Sequence, residues 1–314
     1  MKDLAQTSTL VLPHQSDVNF LLDGGCETTL IFHDKIDLPY FAAFTLLDSA
    51  EGTAVLRRYF QRHLEVAQSN GLGFILETPT WRASADWGAL LGYDNDHLAK
   101  VNAAAVSLMQ EIRDASQPSE VPLIVSGCVG PRGDGYIVGA EISAEAAEAY
   151  HRPQVEALVA AGVEMVTALT MTYTAEAIGI TRAAQKAGSP IVVSFTVETD
   201  GRLPTGQALG DAINETDAAT GSAPIYYMVN CAHPDHFSGV LNGGWLDRIG
   251  GVRANASRMS HAELDEAEEL DDGDPAEFGK LHQLLVGRLP NVHAIGGCCG
   301  TDHRHIGAAA TAII

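Results

Sequence analysis

Nowhere in this 314-residue chain do about 18 apolar residues follow one another, the length that a membrane-crossing helix needs. Basic residues are scarce: 19 Lys and Arg stand against 40 Asp and Glu, for a formal net charge of −21. With no basic stripe to set against that charge, neither nucleic acid nor an anionic membrane is an expected partner. The opening MKDLAQTSTLVLPHQSD has no basic region followed by an apolar stretch and a small-residue cleavage site, so no secretion signal is expected. Cysteine is sparse and odd in number: Cys26, Cys128, Cys231, Cys298 and Cys299. An odd count without a signal makes a poor disulfide framework, and neighbours such as Cys298 and Cys299 pair badly with each other. A reducing, cytoplasmic setting with free thiolates is the expectation. A G-x-G-x-x-G after the first apolar run is also missing, because LLDGGCETTL does not supply that spacing. Its absence counts against an open doubly wound sheet, the alternative architecture. No internal repeat or proline-rich linker divides the chain, so one domain is expected over 1–314, with residues 1–17 as an N-terminal extension.

What is present is a rhythm. Short apolar runs occur at 19–25 (NFLLDGG), 73–80 (GFILETPT), 122–130 (PLIVSGCVG), 164–172 (EMVTALTMT), 190–198 (PIVVSFTVE), 225–231 (IYYMVNC), 249–256 (IGGVRANA) and 292–300 (VHAIGGCCG). The seventh is the weakest. Continuous apolar runs without alternation suit strands buried on both faces, as in a parallel sheet. Segments with helical spacing fall between them: 49–70, 95–115, 143–162, 174–188 and 274–289. Several stop at glycine or Asn-Gly, the usual helix C-cap. The fold class is α/β, and eight strands alternating with helices predict a (β/α)8 TIM barrel. One segment breaks the rhythm: 261–279 (HAELDEAEELDDGDPAEFG) carries nine acidic side chains. The calcium-loop spacing of an EF-hand is absent, and the segment reads as an acidic insertion forming a solvated loop or helix face.

In a barrel of this type chemistry gathers at the C-terminal strand ends. There the runs end in Asp23-Gly24-Gly25, Glu77-Thr78, Asn230-Cys231 and Gly296-Gly297-Cys298-Cys299-Gly300. Strands six and eight are separated by one strand, so Cys231, Cys298 and Cys299 can converge above the barrel. Three soft thiolates with one open position suit tetrahedral Zn2+ at a catalytic site. A thiol on such an ion is deprotonated at neutral pH and becomes a strong nucleophile. Glycines beside the pair permit backbone angles that bring two successive side chains to one ion. Cys26 and Cys128 each stand alone and are expected to pack in the interior. His233, His303 and His305 follow the cysteines closely and are candidates for a fourth ligand or a proton carrier, with loop positions the plainer expectation. Asp23 and Glu77 are candidates for binding a substrate amine or acting as bases.

Taken together, LLDGGCETTL, LETPTWRAS, GCVGPRGDGY, HRPQVEALVAAGVEMV, SFTVETDGRLPTGQAL, VNCAHP and GGCCGTDHRHI resemble the homocysteine S-methyltransferase family over nearly the whole chain. VNC followed by GGCC is the specific part of the likeness. The resemblance implies a TIM barrel, Zn2+ on Cys231, Cys298 and Cys299, and substrate contact by Asp23. It implies alkyl transfer between sulfurs, from a sulfonium-type donor to a small-molecule thiol, with homocysteine the default acceptor and methionine the product. Asp23, Gly24, Gly25, Glu77, Asn230 and Arg253 are the candidate substrate-contacting residues.

Two departures stand out. Relatives that use homocysteine usually end the fourth strand in Glu-Thr, and that Glu holds the amino group of the substrate. Here the stretch is VTALTMTY, with Leu169 in its place, and neither Glu164 nor Glu176 obviously substitutes. In strand seven, where many relatives carry Tyr-Pro-Asn, the stretch is VRANAS. Arg253 is then expected to pair either with an acidic substrate or with the acidic segment that follows. These departures keep two alternatives open: the same zinc-thiolate chemistry on another thiol or donor, or a zinc- or thiol-binding protein without turnover. Donor identity and oligomeric state are not legible.

Overall fold

The computed structural model describes residues 11–311 and 313–314, so most of the expected N-terminal extension lies outside the described residues. Eight strands form: β1 (Phe20–Leu21), β2 (Gly73–Glu77), β3 (Leu123–Val129), β4 (Met165–Met171), β5 (Ile191–Phe195), β6 (Pro224–Asn230), β7 (Ile249–Ala254) and β8 (Ala294–Gly297). Each falls within or beside one of the eight apolar runs, the weak seventh included. All neighbours pair in parallel, and β1 closes on β8 through Phe20 with Ala294 and Leu21 with Ile295, giving one closed barrel.

Alternation along each strand divides the core. Phe20, Leu22, Ile75, Ile124, Cys128, Met165, Leu169, Val192, Tyr226 and Met228 pack together inside the barrel. Leu21, Phe74, Leu76, Val125, Val166, Val193, Tyr227 and Val252 face outward into the larger cluster beneath the helices. Both faces are therefore apolar, which is why the runs show no polar alternation. Cys128 sits in the inner cluster and Cys26 in the outer one.

The predicted helices are present at Ala50–Ser69, Asn95–Ala115, Ala144–Ala160, Thr174–Ala187 and Pro275–Val286. Ser49, Asp94, Ser143 and Asp274 cap four of them through their side chains. Gly188 ends the helix before it in the left-handed conformation at φ 74°, as a C-cap glycine does. Two further helices had little apolar signal. Leu209–Thr220 buries Leu209, Gly210, Ala212, Ile213, Thr216 and Thr220, a face with only two large apolar side chains. His303–Ala310 is short and alanine-rich. The β6–β7 connection holds only the single turn Pro234–Phe237 and two 3-10 turns in place of a long helix.

Candidate active site

The upper layer of the barrel interior is polar, and one cation organises it. Arg253, buried on β7, donates from Nη2 to Asp23 Oδ1 at 2.8 Å and to the Gly24 carbonyl at 3.1 Å. Its Nε donates to the Gly297 carbonyl at 3.0 Å, and Nη1 to Glu77 Oε2. The guanidinium thus ties β1, β2, β7 and β8 together beneath the mouth. Asp23 Oδ2 accepts from the Tyr59 phenol at 3.0 Å, so both of its oxygens are engaged. Glu77 keeps one buried oxygen, Oε1, without a partner. Burial pushes the Glu77 carboxyl up to about 7 despite the Arg253 charge beside it. Burial works against the Arg253 charge as well, but Asp23 and Glu77 outweigh it and hold the guanidinium well above its ordinary value. The acidic segment expected as one partner does not reach Arg253; carboxylates of the barrel itself pair with it.

Above this layer the three thiols meet. Cys231 Sγ and Cys299 Sγ lie 3.6 Å apart, and the sulfurs of Cys231, Cys298 and Cys299 all lie within 4.8 Å of one another. Three thiolates around a tetrahedral zinc stand about 3.8 Å apart, given Zn–S bonds of about 2.3 Å. The donor set and its spacing therefore fit that ion. Hydrogen bonding with Cys231 and Cys299 pulls the Cys298 thiol well below its ordinary range.

The backbone that delivers these sulfurs differs from the expectation. Gly300 is left-handed at φ 80°, but Gly296 and Gly297 are not; it is Cys231, a non-glycine residue, that takes the left-handed conformation at φ 58°. Strain of this kind persists where neighbours over-determine it. The Cys231 amide donates to the Arg253 carbonyl at 3.1 Å, and its carbonyl lies 2.8 Å from His261 Nε2. Gly25 and Gly297 serve close approach instead. A Cβ at Gly25 would lie 2.6 Å from the Cys298 carbonyl oxygen, and one at Gly297 would lie 2.0 Å from Thr301 Oγ1. Gly25 also donates to the Thr301 carbonyl at 3.0 Å, so the first strand end and the cysteine turn are one packed unit.

Asn230 is fully occupied below the thiols. It accepts from Ser194 Oγ at 2.6 Å and from the Thr170 amide at 2.9 Å, and it donates to Thr170 Oγ1 at 2.8 Å. Its Nδ2 comes within 3.9 Å of Cys298 Sγ. Thr170, at φ 64°, is held left-handed by this amide.

The cluster opens into a cavity of about 260 Å³ lined by Asp23, Gly24, Gly25, Glu77, Leu169, Asn230, Arg253 and the three cysteines. The three cysteines and the candidate substrate-contacting residues are therefore brought to one place. His233, His303 and His305 are not; none lines the cavity, and His305 is turned to Asp302 and the Asp272 carbonyl. Glu164 pairs with Arg113 and Glu176 with His151, both away from the mouth.

Three contributors, Tyr136, His261 and Glu27, are not among the site residues expected from sequence, although Tyr136 ends GCVGPRGDGY and Glu27 lies in LLDGGCETTL. Tyr136, in the β3–β4 connection, puts its phenol oxygen 3.2 Å from Cys299 Sγ and 3.4 Å from Cys231 Sγ. Its ring stacks on His261 with centroids 4.2 Å apart, and His261 Nδ1 lies 3.1 Å from Glu198. Glu27, four residues after Asp23, lines the cavity and is half-buried; burial pushes its carboxyl up to about 7. The acidic segment also differs from the solvated loop expected. Its charges are mostly exposed, but Leu264, Ala267 and Leu270 line the cavity beside Asp265, Glu269 and Asp271. That three-residue apolar spacing was the available signal.

Comparison with known proteins follows the same line. The profile of the family described as homocysteine S-methyltransferase matches residues 20–313. The homocysteine S-methyltransferase of Escherichia coli (strain K12) is 32% identical over 103 residues, which is 30% of this chain and 33% of that protein's length. Among solved structures, the metallated form of the Escherichia coli homocysteine methyltransferase MmuM aligns with a TM-score of 0.72 at 21% identity, over 94% of this chain and 96% of that one. Its oxidized form gives 0.71 at 23% identity, over 96% and 98%. At these identities the structural likeness speaks for the fold.

Proposed function

The chain belongs to the homocysteine S-methyltransferase family, a family of methyltransferase enzymes, and on that premise we propose that it moves a methyl group from a sulfonium-type donor to a thiol, with homocysteine the acceptor and Zn2+ the cofactor. The observation that carries this reading is the convergence of three thiols from the ends of β6 and β8 on the wall of one cavity at the barrel mouth. Cys231, Cys298 and Cys299 would hold the ion. When bound, it would hold a substrate thiol as the thiolate near neutral pH.

The remaining work belongs to the protein. Arg253 holds Asp23 and Glu77 in place beneath the sulfurs. Asn230 fixes the ends of β4 and β5 against β6. Trp81, Phe41 and Tyr136 give the cavity apolar walls, and Leu264, Ala267 and Leu270 close one side, which limits water around the reacting sulfur. The acceptor sulfur, having lost its proton to solvent, donates a lone pair to the methyl carbon. The carbon–sulfur bond of the donor breaks with its electron pair staying on the donor sulfur, which becomes a neutral thioether. Orientation of the two sulfurs in line is the main contribution required of the site.

A second reading, the same chemistry on a thiol without an amino group, is favoured by Leu169, an apolar side chain at the end of β4 that lines the cavity. One assay separates the two. Reduced, zinc-supplied protein is given homocysteine with S-methylmethionine, S-adenosylmethionine or betaine, beside a Cys298→Ser control. Methionine is expected from the intact protein alone. If folded, zinc-loaded protein makes none with any donor, homocysteine is not the acceptor.

A further inference from the structure

The carboxylates around the cavity are not equivalent. Asp23 gives one oxygen to Arg253 and the other to Tyr59. Glu77 is charge-paired with Arg253 through Oε2, although its Oε1 has no hydrogen-bond partner. Asp134, on the opposite rim, stands 3.6 Å from Arg82, whose guanidinium lies between Trp81 and Trp87 at 4.0 and 3.7 Å from their ring centres. Asp271 accepts from Ser257 at 2.6 Å. Asp265 and Glu269 are exposed to solvent. That leaves Glu27. It is half-buried in the wall of the cavity, and its own backbone N–H is the donor beside its carboxylate; among the described residues no Lys, Arg or His forms an ion pair with it, and Arg253 and Arg82 act on it only from a distance. Glu27 and the three cysteines line the same cavity, so the carboxylate and the thiol cluster share one compartment.

A carboxylate drawn partly out of water with no cation paired to it is costly. The site therefore gains free energy from any ligand that brings a hydrogen-bonding cation to Glu27. An ammonium group suits it: three N–H donors and a full charge meet an acceptor-only side chain. A sulfonium has no N–H to offer and is better served by aromatic faces, which Trp81 and Tyr136 supply elsewhere in the cavity. Leu169 offers no acceptor to an amine. We propose that Glu27, on the turn after β1, receives the ammonium group of the acceptor thiol and so takes over the role that Leu169 cannot perform. The inference rests on the reading of the site as one for a thiol acceptor.

The test is equilibrium binding to the zinc-supplied, reduced full-length chain, by calorimetry, of two thiols that differ only in the amine: homocysteine and 4-mercaptobutyrate. Wild type is expected to bind homocysteine more tightly. Glu27→Gln should weaken homocysteine by about 10- to 100-fold and leave 4-mercaptobutyrate unchanged, while Glu27→Asp should keep part of the preference. Unchanged zinc content and thermal midpoint show that the variants are folded. If both thiols weaken equally in Glu27→Gln, or the preference for homocysteine survives it, Glu27 does not bind the amine, although the thiol site stands. Wild type that binds neither thiol would remove the proposed function and this inference with it.

Discussion

Arg253 shows how much one side chain decides in this site. Two carboxylates and two carbonyls close on its guanidinium, and the cost of burying three charges is offset only because each finds a partner. Removing one member of such a group is far more damaging than its net worth suggests, since the others remain buried. Arg253→Met should destabilise the protein by about 3–5 kcal/mol in urea unfolding near pH 8. Adding Glu77→Gln should recover part of that loss, because one orphaned charge is then gone. A single variant as stable as wild type would show that the cluster holds nothing together. None of this pairing was legible in the sequence, where Arg253 lies 230 residues from Asp23 and 176 from Glu77. The cysteines were legible because they are few, two are adjacent, and glycines flank them. Tyr136 and His261 were not, because their roles come from loops that only the closed barrel brings together.

At the scale of elements, strands were easier to read than the segments that cover them. A strand buried on both faces leaves a continuous apolar run, whereas the buried face of Leu209–Thr220 holds only Leu209 and Ile213 as large apolar residues, beside glycine, alanine and threonine, and leaves a short, weak stripe. Helix Pro275–Val286, next to the acidic segment, carries a different burden. His282 is fully buried on it, and burial pushes its imidazole down to about 4 from about 6.5. Its Nδ1 lies 2.9 Å from the Phe278 carbonyl, while Nε2 has no partner. A histidine held neutral in the folded state contributes stability that is fully present above pH 6.5 and is lost as pH falls toward 4, because the unfolded chain binds the proton first. Over that window the loss reaches about 3 kcal/mol. Compared with wild type, His282→Leu should therefore gain stability by up to that amount between pH 7 and pH 4 in urea titrations. A difference between the two proteins that does not change with pH would place the histidine's proton elsewhere.

For the molecule as a whole, the thiols matter because of which strands they join. Cys231 ends β6, and Cys298 and Cys299 follow β8, so an ion held by all three would cross-brace the sheet around β7. Whatever binds only the folded state raises its stability by mass action. Zinc added to the reduced protein should raise the thermal midpoint by on the order of 5 °C, and Cys298→Ser should abolish the response. A midpoint indifferent to zinc would argue that the cluster does not take the ion.

Closure of the barrel through Phe20 with Ala294 and Leu21 with Ile295 has a bearing on biosynthesis. The polypeptide leaves the ribosome with β1 first, and that two-residue strand has only one of its two partners until β8 arrives. A nascent chain that has produced everything through β7 owns a single sulfur of the three and no seat for Gly25 against the Cys298 carbonyl. Competence to capture such an ion would thus arrive together with completion of the ring. Metal occupancy would then serve the cell as a record that the last strand has found the first.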